Sequence, residues 1–186
     1  DLAVDGFDLA IRYQKLDAGR GEPLFGETVL PLCAPSLLGP GRPPLKRPAD
    51  LARHTLLRLD LPDYSGMPVE WQSWLQAVGA ADVEPAAMLS FTQYDAAVAA
   101  AVAGQGVLLG RRPLVDRMLA QGALVAPFKA EADSPRGYAL IVAPAAAHRD
   151  AVQALVRWLV DEARPTAAAR PAARRRTAAP RPAKGR

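Results

Sequence analysis

The side chains able to do chemistry are few, and they are poorly placed for it. Two histidines, His54 and His148, stand far apart with no carboxylate spaced to share a metal with either, so no zinc or iron site is expected. The one cysteine, Cys33, closes an apolar run over residues 29–32. A lone thiol makes no internal bridge, and no His or basic residue lies near it in sequence to lower its pKa. It reads as a buried bystander in a reducing compartment rather than a redox sensor. The serines lack a G-x-S-x-G setting and a histidine partner. Asp60 and Asp63 are spaced as a carboxylate pair, but they lie in a Pro-flanked loop and read as a solvated turn. Gly104-Gln-Gly106-Val-Leu-Leu-Gly110 has the look of a dinucleotide fingerprint. It follows a helical pattern and leads into a strand, whereas a phosphate loop follows a strand and opens a helix. Catalysis, a metal and a cofactor are therefore not expected.

With chemistry set aside, composition and charge narrow the class. The chain has 186 residues, half of them hydrophobic, enough for a substantial core without disulfides or metal. Its net charge of +4 is unevenly held. Eight of the 23 basic residues fall in residues 163–186, which carry no acid, so residues 1–162 hold 15 basic against 19 acidic groups. An acidic body argues against a DNA-binding surface on it. The Ala-, Pro- and Arg-rich tail is too poor in large apolar groups to offset its ordering entropy and is expected to be disordered. No apolar run approaches the ~20 residues of a membrane span, and no signal-peptide pattern opens the chain. The sequence begins at Asp1 rather than Met and reads as a fragment.

Periodicity supplies the elements. Residues 7–13 alternate apolar and polar, and residues 28–33 form a nearly continuous apolar run, as in a strand buried on both faces. A Pro/Gly-rich loop over residues 39–48 precedes a short helical turn at 49–53 and a strand at 54–59. Trp71, Trp74, Leu75 and Val78 repeat at i, i+3, i+4 and i+7, one apolar helix face ended by Gly79. A strand at 88–91 is followed by Thr92-Gln-Tyr-Asp95, a capping box that predicts a helix over about residues 93–103 with Thr92 as N-cap. A strand follows Gly106. Pro113 suits the first turn of the next helix, which ends near Gly122. Strands at 124–128 and 138–143 and a last helix ending near Glu162 complete the pattern. Strands alternating with helices indicate an α/β fold.

Several stretches, in order, resemble one family. They are DLAIRY (8–13), CAPSLL (33–38), DLARHTLLRLD (50–60), WQSWLQAVG (71–79) and the long run from TQYDAAVAAAVAGQGVLLG into RRPLVDRMLAQGALVAPF (92–128). Together they resemble the effector-binding domain of LysR-type transcriptional regulators, nearest the glycine-cleavage-activator-like branch. The resemblance implies a two-subdomain, periplasmic-binding-protein-like α/β domain. Residues 1–33 and 137–162 would form one incomplete regulatory subdomain and residues 34–136 the other, with 163–186 as the tail. It also implies a small-molecule effector bound between subdomains, a cytoplasmic homo-oligomer, and DNA contacted only through an N-terminal helix-turn-helix that this sequence lacks. The competing reading is a periplasmic solute-binding protein, which shares the two-lobed architecture.

Ligands of such folds sit where the lobes face each other across the crossing strands. The expected effector-binding residues are Arg12, Tyr13, Arg58, Phe91, Thr92, Gln93, Tyr94 and Arg136, with Leu57 and Tyr138 beside them. Each has a plainer alternative: Arg12 paired with Asp8, Arg58 solvated, Tyr94 packed in its helix's first turn, Thr92 acting only as a cap. The N-terminus of the helix after Thr92 favours an anion. A carboxylate effector is the expectation, held at Thr92 and Gln93, flanked by Phe91 and Tyr94, and steadied by Arg58 or Arg136.

Overall fold

In the computed structural model, which describes residues 2, 6–18, 20–60 and 70–168, the apolar run at 28–33 is the end of one long strand, β2 (Glu22–Leu32). Its first part pairs antiparallel with β6 (Ala132–Val142) and its last part with β5 (Val107–Arg112). On its other side β6 pairs antiparallel with β1 (Leu9–Lys15). Beyond β5 lie β3 (Thr55–Leu59) and β4 (Ala87–Phe91), all three parallel. The result is one six-stranded sheet in the order β1-β6-β2-β5-β3-β4. The long strands β6 and β2 are thus neighbours in the middle of the sheet. Val29, Leu30 and Leu32 are buried there, as the unbroken apolar run required. Gly137 is needed where β6 passes β2: a Cβ there would overlap the Phe25 carbonyl oxygen.

Parallel neighbours require crossover helices. Helix α1 (Trp71–Ala77) joins β3 to β4, and α2 (Tyr94–Val102) joins β4 to β5. The predicted stripe on α1 is core: Trp71, Trp74 and Leu75 are buried beside Val29, Leu56 and Val107, and Val78 packs at their margin. The Trp71 indole N–H donates to the Leu57 carbonyl at 2.9 Å. On α2 the fully buried Ala97 and Ala101 let the helix lie close against Leu30, Leu57 and Leu108. A short α3 (Asp116–Ala120) follows β5, and α4 (Asp150–Ala168) covers Leu24 and Leu140.

Four expectations differ from the structure. Helix α2 begins at Tyr94 with Gln93 at its N-cap, and no side chain caps it. The Asp95 carboxylate accepts the Ala96 N–H at 3.0 Å, so the Thr92 capping box does not form. Pro113 lies in a turn whose carbonyl accepts the Asp116 N–H at 3.1 Å, and α3 starts only there. Residues 124–128 make a single bridge, Val125 to Cys33, rather than a strand; Pro127 has no N–H with which to extend a ladder. Helix α4 runs past Glu162 to Ala168 because Ala163 is buried against Leu24 and Leu140 and Arg164 pairs with Asp161 at 3.2 Å. The rest of the expected disordered tail, from residue 169 on, lies outside the described residues.

Gly104, with φ +74°, closes α2 before β5 begins, so residues 104–110 run from helix to strand, the reverse of a phosphate loop.

Candidate functional site

Glu27 breaks the apolar run of β2 at the point where that strand passes from β6 to β5, next to a register shift between Gly26 and Glu27. It is completely buried. A buried carboxylate needs a charge partner and hydrogen bonds for its remaining lone pairs. Arg111 of β5 supplies the charge, its Nε 2.5 Å from Glu27 Oε1. Tyr13 of β1 donates its hydroxyl to Oε2 at 2.6 Å.

Arg111 in turn gathers two aromatic rings. Its guanidinium carbon lies 4.7 Å from the Tyr13 ring centre and 5.4 Å from that of Tyr94 at the start of α2. Its backbone N–H donates to the Tyr94 hydroxyl oxygen at 2.8 Å. Tyr138 stacks at 5.3 Å from Tyr13 and 4.9 Å from Phe25, and the Arg136 guanidinium sits 5.8 Å above Tyr13. Burial, then the Glu27 carboxylate, pushes the Tyr13 hydroxyl well above its ordinary pKa; burial does the same for Tyr94. For Arg111, burial opposes the charge but Glu27 and the tyrosines outweigh it, so the guanidinium is held cationic more firmly than usual. The two phenols therefore stay neutral and the guanidinium stays charged across the physiological range.

Of the expected site residues, Tyr13, Tyr94 and Arg136 come together here. Phe91, Thr92 and Gln93 stand at the adjoining turn between β4 and α2: Phe91 half-buried, Thr92 and Gln93 exposed. Arg58 is near them without touching the cluster. Its Nε donates to the Ser90 hydroxyl at 2.8 Å, its Nη2 lies 3.6 Å from Asp60, and the Asp60 N–H donates to the Phe91 carbonyl. Arg58 and Asp60 help line a cavity of about 210 Å³ with Trp71, Gln72 and Met88. Asp63, read with Asp60 as part of a solvated turn, lies outside the described residues.

Arg12 is apart. Alternation along β1 sends it to the face opposite Tyr13, into a cavity of about 610 Å³ shared with Gln14, Arg20 and Ile141. Nor does it pair with Asp8, which is taken by Arg149 at 2.6 Å. Neither of these two cavities is lined by Glu27 or Arg111, and the one beside Arg58 and Asp60, at the carboxyl end of β3, is the better placed for a ligand.

Sequence reasoning missed Glu27 and Arg111. A signal existed: an acid in the interior of β2, at the edge of its apolar run, and an arginine two positions after Leu109 in β5. Pairing them required knowing that β2 and β5 are neighbours, although these two positions are 84 apart in sequence. Among the described residues no group of three or more His, Cys, Asp and Glu side chains could hold a metal. His54 is buried with Nε2 3.3 Å from the Pro44 carbonyl.

The LysR substrate binding domain family matches residues 1–164. The chain belongs to that family. Relatives include the glycine cleavage system transcriptional activator of Escherichia coli strain K12, 31% identical over 170 residues, which make up 88% of this chain and 52% of that protein. The HTH-type transcriptional activator AmpR of Pseudomonas aeruginosa is 32% identical over 167 residues, again 88% and 52%. The solved effector domain of that AmpR superposes with a TM-score of 0.66 at 31% identity, covering 91% of this chain and 77% of that structure. The chain spans about half the length of the curated relatives it matches. It is an effector-binding domain of the LysR type, with the periplasmic-binding-protein-like fold of those structures, and these likenesses favour a transcriptional regulator over a solute-binding protein.

Proposed function

We propose that this domain senses a small molecule between its lobes, at the turn from β4 to α2 beside the buried Glu27–Arg111 pair, and that occupancy controls transcription through an N-terminal helix-turn-helix in the full-length protein. The reading divides the chain into two lobes, residues 1–33 with 137–162 and residues 34–136, meeting along β2 and β6. The observation that carries it is the convergence on one arginine of Tyr13 from the first lobe and Tyr94 from the second, at 4.7 and 5.4 Å. A site reached from both lobes is one whose occupancy can bias their relative position. The full-length protein acts as a cytoplasmic homo-oligomer that binds DNA and catalyses no reaction.

The effector is a small carboxylate. Helix α2 presents an N-terminus that no side chain caps, with Thr92 and Gln93 exposed before it. Phe91 and Tyr94 offer apolar contact, and Arg58 or Arg136 supplies the counter-charge. Thermal-shift measurements on the full-length protein with a panel of small mono- and dicarboxylates test this. A stabilising ligand is expected, and its shift should be lost in folded Thr92→Val, Gln93→Leu and Arg58→Ala variants. A ligand whose shift survives all three binds elsewhere.

A further inference from the structure

We infer that Arg111, anchored by Glu27, is a positioning residue that ties the two walls of the candidate site together, so that loosening one wall loosens the other. This deepens the effector-site reading, but its physical content belongs to the ligand-free domain. Three observations carry it.

First, Arg111 contacts both walls through different parts of one residue. Its guanidinium lies against the Tyr13 ring on β1, and its backbone N–H holds the Tyr94 hydroxyl at the start of α2. Second, the side chain has little freedom to relax if one contact is lost. It is 7% exposed, and its charge partner Glu27 is fully buried on the strand between β6 and β5. Interior groups packed at high density shift between discrete arrangements rather than yielding gradually. Third, Glu27 also holds Tyr13 directly, through the hydroxyl bond at 2.6 Å. Tyr13, Glu27, Arg111 and Tyr94, drawn from β1, β2, β5 and the start of α2, therefore form one unbroken line of contacts that also passes over β6. Such a line transmits displacement only if its members are coupled energetically.

The coupling is read by amide hydrogen exchange on the whole chain without ligand, comparing β1 (residues 9–15), the first hydrogen-bonded turn of α2 (residues 97–101) and β3 (residues 55–59) as an internal reference. Tyr13→Phe keeps the ring and removes the hydroxyl that bonds Glu27. We expect exchange to speed up about tenfold in β1 and also in the first hydrogen-bonded turn of α2, with β3 unchanged. Arg111→Lys keeps a charge for Glu27 but loses the planar group lying against both rings; both walls should again exchange faster, and combining the two variants should add less than the sum of the singles. If Tyr13→Phe loosens β1 while α2 stays protected, Arg111 does not connect the walls and the inference is wrong. Uniform acceleration that includes β3 would equally overturn it, since that is ordinary loss of global stability. Should Arg111→Lys fail to fold, Tyr13→Phe alone decides the matter. A null result here leaves ligand binding untouched, and a failed carboxylate screen leaves this coupling untouched.

Discussion

At the residue scale, one buried charge pair organises the candidate site, and its cost explains how firmly it must be built. Removing one member of a buried ion pair strands the other in a low-dielectric interior, which costs about 3–5 kcal/mol, more than the pair itself contributes. Glu27→Ala should therefore destabilise far more in urea than Arg136→Ala, whose guanidinium stands at the margin of the same cluster. Near-equal losses would show that Glu27 is not charge-paired in solution. Cys33 gives a second test. Burial pushes its thiol up to about 11, and the side chain is wholly enclosed. The thiolate is the reactive form and would be appreciable only as pH approaches that value. Native protein at neutral pH should thus leave Cys33 unmodified by a maleimide on the timescale that labels urea-unfolded chain fully. Fast native labelling would mean the strand end opens readily. The burial of Cys33 was legible in the apolar run before it, but Glu27's partner was not, because pairing across distant strands is a tertiary fact.

At the element scale, long periodic patterns were legible and their ends were not. The Trp71, Trp74, Leu75, Val78 stripe placed α1 because four apolar residues on one face have little alternative to a core. Ends depend on single hydrogen bonds of comparable strength. Thr92 and Asp95 have the spacing of a capping box, yet the Asp95 carboxylate bonds the Ala96 N–H and the helix starts two residues after Thr92. The strand expected at 124–128 shrank to one bridge for a similar reason: Leu124 is drawn into the core beside Leu108, and Pro127 cannot donate. The α1 face yields a quantitative expectation. Trp74 is fully buried between Trp71 at 5.9 Å and Phe128 at 6.5 Å. Trp74→Ala should cost roughly 3–5 kcal/mol by lost transfer energy and the cavity left behind, a large part of the stability of an ordinary domain. Val78→Ala, at the margin, should cost well under half of that. A Trp74→Ala variant that melts within a degree or two of the parent would mean that α1 does not pack as described.

At the scale of the whole molecule, the question is how an acidic sensing body and a basic tail divide their roles. DNA affinity supplied by unpatterned arginines comes from counterion release; it is indifferent to sequence and falls by about 0.9 logarithmic units per phosphate neutralised for each tenfold rise in salt. Seven basic residues lie beyond residue 168, and the body before residue 163 has an excess of acid. Fluorescence anisotropy should therefore show weak binding of this chain to any duplex near 50 mM salt, lost by about 200 mM, with no preference among sequences. The place of truncation matters. Ala163 is buried against Leu24 and Leu140, and α4 continues to Ala168. Ending the chain after Ala168 should abolish the residual DNA affinity and leave the melting temperature unchanged. Ending it after Glu162 should abolish the affinity too, but also lower the melting temperature, because Ala163 packs against Leu24 and Leu140. Equal melting temperatures for the two truncations would show that Ala163 contributes no packing. Sequence-selective binding that persists at moderate salt in the shorter chain would place a DNA-reading surface on the acidic body itself, against the proposal that recognition belongs to a separate helix-turn-helix.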